Sequence, residues 1–340
     1  MSLQLDRYFG VTLGFCARRG WYETQQAQTE FDRIADLGIP WVCLVATVMQ
    51  ETVNSPRQFA DFECTPSDFE LVDTVAELQR RGIKVCLRPM IECYDGHGRN
   101  RINFPPDGER IPGRVSDCWE RWFRGMRART RHYARLAQRS GCEMYCLDSE
   151  IDGFVGRCSD WRSVVEVARE EYHGHLNSCH THAVNFEREL EDPAHWFRDL
   201  DSLATSFYHP SAADPSCSVA DRVEYLQPKL AMYRRIATSL GRPVWFGECG
   251  CRSLHGACRS PSSWRGGGGY DGDDQARHLQ AVLETFRNEE WWAGLFWWKW
   301  DEHNVRPNFT DEQGNDLGFT VFGKPAAEVM RAGFGAEAVL

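Results

Sequence analysis

The stretch TPSDFELVDTVAELQRRGIKVCLRPM, residues 65–90, carries a helix, a stop and a strand in that order. Thr65, Pro66 and Asp68 read as an N-cap, a residue suited to the first helical position and an acidic third position. Phe69, Val72, Val75, Ala76 and Leu78 then recur at helical spacing and are expected to face inward, until Gly82 ends the helix. Ile83 to Met90 is a nearly continuous apolar run, the pattern of a strand covered on both faces. Helix, glycine and buried strand in succession make the unit from which parallel α/β sheets are assembled.

The same unit can be followed outward in both directions. Upstream, Tyr8 to Phe15 reads as a first strand, Thr24 to Leu37 as a helix with Ala27, Phe31, Ile34 and Ala35 inward, and Pro40 to Thr47 as a second strand. Downstream, residues 92–115 are rich in Gly, Pro, Arg and Asp and read as a long loop that walls a site. Asp117 to Arg139 is predicted helical with Trp119, Trp122, Phe123 and Met126 on one side, and Glu143 to Leu147 is a fourth strand. Trp161 to Tyr172 reads as a helix, His182 to Phe186 as a fifth strand ending near Asn185, and Leu203 to Tyr208 as a sixth. A helix from Val223 to Leu240 leads into a seventh strand, Pro243 to Phe246. Residues 251–273 form a second long loop, with consecutive glycines at 266–269 that suit a lid. Asp274 to Arg287 is a helix, and Gly294 to Trp300 a final strand crowded with tryptophan. Eight such units predict an α/β fold, a (β/α)8 TIM barrel forming a single domain over residues 1–340, with its chemistry at the carboxyl ends of the strands.

Composition narrows the partners. The 340 residues include 49 acidic side chains against 39 Lys and Arg, for a formal charge of -10, which gives no reason to expect nucleic acid. With 13 Trp, 10 Tyr and 19 Phe, the chain is equipped to stack on flat sugar faces as well as to fill a core. The opening MSLQLDRYFG lacks a basic region followed by an apolar stretch, and no run approaches the ~20 apolar residues that span a bilayer, so no membrane association and a cytoplasmic location are expected; a secreted protein is the alternative if a leader is missing. Of the 14 cysteines, Cys43, Cys86 and Cys146 fall in strand-like runs and are expected to be buried free thiols. Cys249 and Cys251 lack partners at zinc-ligand spacing, so neither a metal nor another cofactor is expected. No exposed apolar stripe separable from the barrel helices points to an oligomer.

Two glutamates stand at strand ends. Glu150 follows the fourth strand and Glu248 the seventh, and in a closed barrel both would face one pocket, the minimum equipment for cleaving a glycosidic bond. Strand alternation puts Asp148 on the side of Glu150, where its charge would favour the protonated form an acid catalyst needs. Arg88 and Tyr208, also at strand ends, are the donors expected to hold Glu248 ionised. Other acid pairs, such as Glu51 with Glu92, compete with the pair of Glu150 and Glu248. A metal-dependent hydrolase would need His and Asp residues converging at strand ends, whereas the histidines between His173 and His182 read as an exposed helix-to-strand connection.

At these residues the chain resembles the large clan of retaining (β/α)8 glycosidases, and within it is similar to glycoside hydrolase family 113, known mainly for β-mannanases. The likeness runs from Gly10 to about Glu328 and includes residues 65–89, the YHGHL…HAVNF stretch, RDLDSLATSFYHP, GRPVWFGECGCRS, GLFWWKW and FGKPAAEV. It implies double displacement on a β-linked oligosaccharide or polysaccharide, with Glu150 as acid/base, Glu248 as nucleophile and Tyr208 steadying the nucleophile. It also implies an aromatic platform under the sugar, at Trp298 or Trp300. Many members of the clan carry Asn before the acid/base, where this chain has Ser149, so the contact to the sugar 2-hydroxyl is expected to pass to Asn185 or to be lost. The loop after the third strand reads DGHGRNRINF where the β-mannanase pattern has Trp next to Arg, and His97, Arg99 or Arg101 is expected to fill that place. Those departures leave β-gluco specificity, transglycosylation and a non-catalytic carbohydrate-binding barrel as alternatives.

Overall fold

The computed structural model describes residues 7–15, 17–181, 183–265, 267–300 and 316–335. Among them, eight parallel strands close into a barrel. They are β1 (Tyr8–Leu13), β2 (Trp41–Gln50), β3 (Lys84–Cys93), β4 (Met144–Ser149), β5 (His175–His180), β6 (Leu203–Phe207), β7 (Val244–Cys249) and β8 (Trp292–Trp300). Helices α1 (Gln25–Asp36), α2 (Asp68–Arg80), α3 (Cys118–Ser140), α4 (Cys158–Glu171), α5 (Ala183–Glu189), α6 (Val219–Leu240), α7 (Gly272–Phe286) and α8 (Pro325–Phe334) alternate with them. The predicted (β/α)8 barrel is therefore the fold.

Closure is made at β1, which pairs with β8 on one side and β2 on the other. Gly10 sits in both pairings, and a Cβ there would lie 2.5 Å from the Trp41 carbonyl, so only glycine lets the strands approach. All ten residues of β2 and all nine of β8 are buried, which is why both read as apolar runs. Cys43, Cys86, Met144, Cys146, Cys179, Trp245 and Phe296 fill the barrel interior, while a larger apolar layer lies between strands and helices. Every described cysteine is a free thiol. No described helix is long and apolar enough to cross a membrane.

Two elements differ from expectation. The N-cap of α2 is Ser67, not Thr65: Ser67 Oγ accepts from Glu70 N (3.2 Å) and Glu70 Oε2 accepts from Ser67 N (2.8 Å). Leu71, Val75 and Leu78 set the inward face, with Glu70 held inside by its cap contacts, and Phe69 is left 80% exposed. The fifth strand is HLNSCH, not 182–186; Asn185 lies in α5, and of the histidines between His173 and His182, His175 and His180 belong to this strand, His173 sits in the exposed connection before it, and His182 lies outside the described residues. Both of the strand's histidines have polar partners, His175 Nε2 and Ser202 Oγ at 2.7 Å and His180 Nδ1 and Asp152 Oδ1 at 3.2 Å, and with polar residues through the strand no apolar run marks it. The loop at 92–115 contains a short helical turn, Arg99–Arg101, and a small antiparallel pair. That at 251–273 is pinned by a bridge between Leu254 and Tyr270.

Candidate active site

A cavity of about 480 Å³ opens at the carboxyl ends of the strands. Every barrel strand except β2 supplies a lining residue, from its end or the loop after it. Glu150 and Glu248 both face it, as expected, and so does Glu92; Glu51 is exposed and bonded to Ser55 instead.

Glu248 is the more tightly held of the strand-end pair. It is 2% exposed, near the end of a wholly buried strand. Oε1 accepts from Ser149 Oγ at 2.7 Å and lies 3.5 Å from Arg88 Nη1, and Oε2 accepts from the Tyr208 hydroxyl at 3.2 Å. Arg88 is itself buried and anchored by donating Nη2 to the Gly247 carbonyl at 3.1 Å. Gly247 leaves that guanidinium room, since a Cβ would come within 2.8 Å of Cys179 Sγ and 3.1 Å of Arg88 Nη2. The donors expected at Glu248 are thus in place, but their effect is smaller than expected. Burial, and then the charge of Glu150, push the Glu248 carboxyl up to about 8 against the pull of Arg88, Arg99 and Ser149. Burial, and then Glu248 and Glu150, raise the Tyr208 phenol, which keeps it a hydrogen-bond donor.

At the end of β4 the chain changes direction. Ser149 is the last strand residue, and Glu150 follows with φ 62°, in the left-handed region that side chains other than glycine seldom adopt. Alternation therefore does not carry through to Glu150, and Asp148 is not its neighbour on the pocket side. Asp148 is buried toward the helix layer, 2.5 Å from Arg129 of α3, and its Oδ1 also accepts from Ser149 N at 2.7 Å. The charged group beside Glu150 is a cation: Arg99 Nη2 stands 3.3 Å from Glu150 Oε2. Arg99 Nε donates to the Ser149 carbonyl at 2.8 Å, and its Nη1 pairs with Glu92. Of the loop residues proposed to fill the missing place, Arg99 alone is in the cavity; Arg101 is exposed, and His97 is exposed and bonded to Asp95.

The two tryptophans separate. Trp298 lines the cavity, with Phe15 at 4.9 Å and Trp264 at 6.1 Å between ring centroids. Trp300 instead donates its indole N–H to Glu30 Oε2 of α1 at 2.8 Å. Between Val11 and Leu13 of β1, the partner on β8 advances from Trp297 to Trp300, so an extra residue in β8 reverses the alternation that put both rings on one face. A cis peptide bond joins Trp298 to Lys299. Asn185 is absent from the cavity lining, and Ser149 uses its hydroxyl on Glu248.

Several lining residues escaped the sequence. Phe15, Thr181, Ser206, His209, Ser262 and Trp264 sit at strand ends or on loops, where no periodicity singles them out. His209 was visible in the SFYHP segment; burial, and then Lys229, lower it to about 4, so its ring is neutral. Trp264 stands beside the glycine run and is half exposed, which marks it as an aromatic face offered to the cavity. Among the described residues, no group of three or more His, Cys, Asp or Glu side chains could hold a metal ion.

The family model for glycoside hydrolase family 113 matches residues 11–324. Among solved structures, the chain is similar to a family 113 β-mannanase from Alicyclobacillus acidocaldarius in complex with ManMIm, with a TM-score of 0.85, 27% identity and 100% of both chains covered. It is also similar to a family 113 β-1,4-mannanase, with a TM-score of 0.82, 24% identity and coverage of 97% of this chain and 99% of the other. A family 5 mannosidase from Rhizomucor miehei shares the fold at a TM-score of 0.59 and 10% identity, with 96% and 92% covered. Among curated protein sequences, none matches this chain.

Proposed function

The chain belongs to glycoside hydrolase family 113 and is a glycoside hydrolase; from that premise we propose that it cleaves β-mannosidic oligosaccharides or polysaccharides with retention, using Glu150 and Glu248 in two unequal roles. The observation that carries the reading is the asymmetry of the pair. Both oxygens of Glu248 are engaged by donors that favour its charge, whereas Glu150 stands half-buried in the cavity with room for a leaving-group oxygen. The β-mannanase names of two similar structures support the sugar.

In the first step Glu150 gives its proton to the glycosidic oxygen as the C1–O bond breaks, and the Glu248 carboxylate forms a bond to C1. In the second, Glu150 takes a proton from water, the hydroxide attacks C1, and the bond to Glu248 breaks. Tyr208 and Ser149 orient Glu248 for attack, and Trp298 lies where a flat sugar face would rest. The raised Glu248 carboxyl means that the free pair holds one proton near neutrality, and catalysis needs that proton on Glu150.

Two reagents test the two parts. A 2-deoxy-2-fluoro-β-mannosyl fluoride, which loses fluoride, is expected to leave a covalent adduct on Glu248, read by mass spectrometry of the labelled peptide, and hydrolysis of a β-manno-oligosaccharide followed by NMR is expected to give a β-anomer first. An α-anomer first, or a label on another residue, would overturn the assignment. A β-gluco specificity is the second reading, favoured by one observation: Ser149 uses its hydroxyl on Glu248, so it does not supply the 2-hydroxyl contact. Parallel kcat/KM values for β-manno- and β-gluco-oligosaccharides decide between the two.

A further inference from the structure

Glu92 has no part in the mechanism above, yet it lines the same cavity and contacts the same arginine as Glu150. The guanidinium of Arg99 is 8% exposed and reaches four partners at the ends of β3 and β4: the Glu92 carboxylate and the Ile91 carbonyl through Nη1, the Ser149 carbonyl through Nε, and Glu150 through Nη2. Of its two carboxylates, Glu92 is the closer, and the Nη2 contact to Glu150 is a loose 3.3 Å. The bond to the Ser149 carbonyl fixes the peptide that leads into the left-handed residue, so Arg99 holds Glu150 by its backbone as well as its side chain.

That arrangement poses an electrostatic problem. A guanidinium in contact with a carboxylate favours its charged form, whereas the first step needs an acid at the end of β4. Glu92 offsets this: its charge stands beside Arg99 and is itself repelled by Glu150. Burial, and then the opposing pull of Arg99 and the push of Glu150, leave the Glu92 carboxyl raised. We propose that Glu92 is a positioning residue for the acid/base: by occupying Arg99 it lets that arginine anchor the Ser149–Glu150 turn without taking the proton from Glu150. The inference rests on Glu150 being the acid/base.

Among the described residues, other charged groups around Glu150 are already engaged. Glu248 and Tyr208 face it across the cavity, with Arg88 behind Glu248. Asp148 is turned to Arg129, and Asp152 to His180 and Thr181. His209 is neutral, and Lys299 of β8 lies over the Phe15 ring at 5.8 Å. Arg99 is thus the cation in contact with the Glu150 carboxylate, and Glu92 the carboxylate that competes for it.

The test uses two leaving groups. Glu92→Gln is isosteric and removes the competing charge. It is expected to slow hydrolysis of β-manno-oligosaccharides, whose leaving group needs the acid, by about 10–100-fold, while a 2,4-dinitrophenyl β-mannoside stays within about threefold. The alkaline limb of its kcat/KM profile should move down by about 0.5–1 pH unit, because the proton on Glu150 is lost sooner. Arg99→Gln should move that limb the other way, and the double variant should return it toward the parent. Equal slowing of both substrates by Glu92→Gln, or an unmoved limb, overturns the proposal. Should Glu92→Gln fail to fold, an alkaline limb of Arg99→Gln that stays put or moves down overturns it instead. Glu150→Gln is the control: if it shows no leaving-group dependence, the acid/base reading itself fails, whereas dependence there and none in Glu92→Gln removes only the role of Glu92.

Discussion

The ends of β4 and β7 present the same residue to the same cavity and treat it in opposite ways. At β7 the strand stays buried to its end, although its register against β6 and β8 shifts around Phe246–Glu248, and Glu248 is fixed by a serine, a tyrosine and an arginine. At β4 the backbone turns left-handed, and Glu150 emerges half-buried with one loosely placed guanidinium. Fixed orientation suits a group that must form a bond along one line, and an open position suits a group that must exchange a proton with a leaving group and then with water. Chemical difference between identical side chains is therefore set by backbone and neighbours, one element apart in each case.

The comparison is broken most directly by removing each acid in turn. Glu248→Gln is expected to reduce kcat by about 10⁴–10⁶-fold on every substrate, since no bond to C1 can form. Glu150→Gln should cost about 10²–10⁴-fold on oligosaccharides and much less on dinitrophenyl glycosides, which depart without a proton. Stopped assays with both substrate types read the contrast. Equal losses for the two variants on both substrates would mean that the ends of β4 and β7 are not differentiated as the geometry implies.

Asp148 gives a smaller effect of a different kind. It lies two residues before Glu150 but belongs to the helix layer, paired with Arg129 in a buried contact. Asp148→Asn would leave that guanidinium without its counter-charge and is expected to lower stability by about 3 kcal/mol, measured by urea unfolding. Turnover by the folded fraction should stay within about threefold of the parent, with an unchanged pH profile. A displaced pH profile at full stability would put Asp148 back in the pocket and narrow the contrast between the strand ends.

Much of the fold was legible because buried parallel strands are mostly apolar, as β2, β3 and β8 are apart from a few polar residues such as Arg88 and Lys299, and because amphipathic helices separate them. β5 was misread for the converse reason: it carries His, Asn and Ser side chains, and the partners that let its histidines sit in a strand, such as Ser202 and Asp152, cannot be seen in a linear pattern. The two glutamates were legible as strand ends. Asp148 and Trp300 were misplaced because each depends on a local break in alternation, the register shift between Cys146 and Ser149 followed by the left-handed Glu150 in one case and the bulge in β8 in the other. Glu92 was visible only as one more strand-end acid, since its role depends on an arginine folded back from the next loop.

The smallest expected effect concerns stability rather than turnover, and it distinguishes the two ends without any substrate. Burial raises Glu248 from the ordinary carboxylate range to about 8, so the native state binds a proton more tightly there than the unfolded chain does. By linkage, the native state loses stability as pH rises through the interval from about 4.5 to 8, and the loss is complete above it. Glu248→Gln removes the titration. Its stability relative to the parent should increase between pH 5 and pH 9 by on the order of 2 kcal/mol. Urea unfolding at pH 5, 7 and 9 provides the comparison. Glu150→Gln takes away the second cause of the raised value and leaves burial, so it should flatten the parent's pH dependence only in part. If Glu150→Gln flattened it as fully as Glu248→Gln does, repulsion between the two acids rather than the buried end of β7 would be holding the proton. The asymmetry would then belong to the pair and not to the strands that carry it.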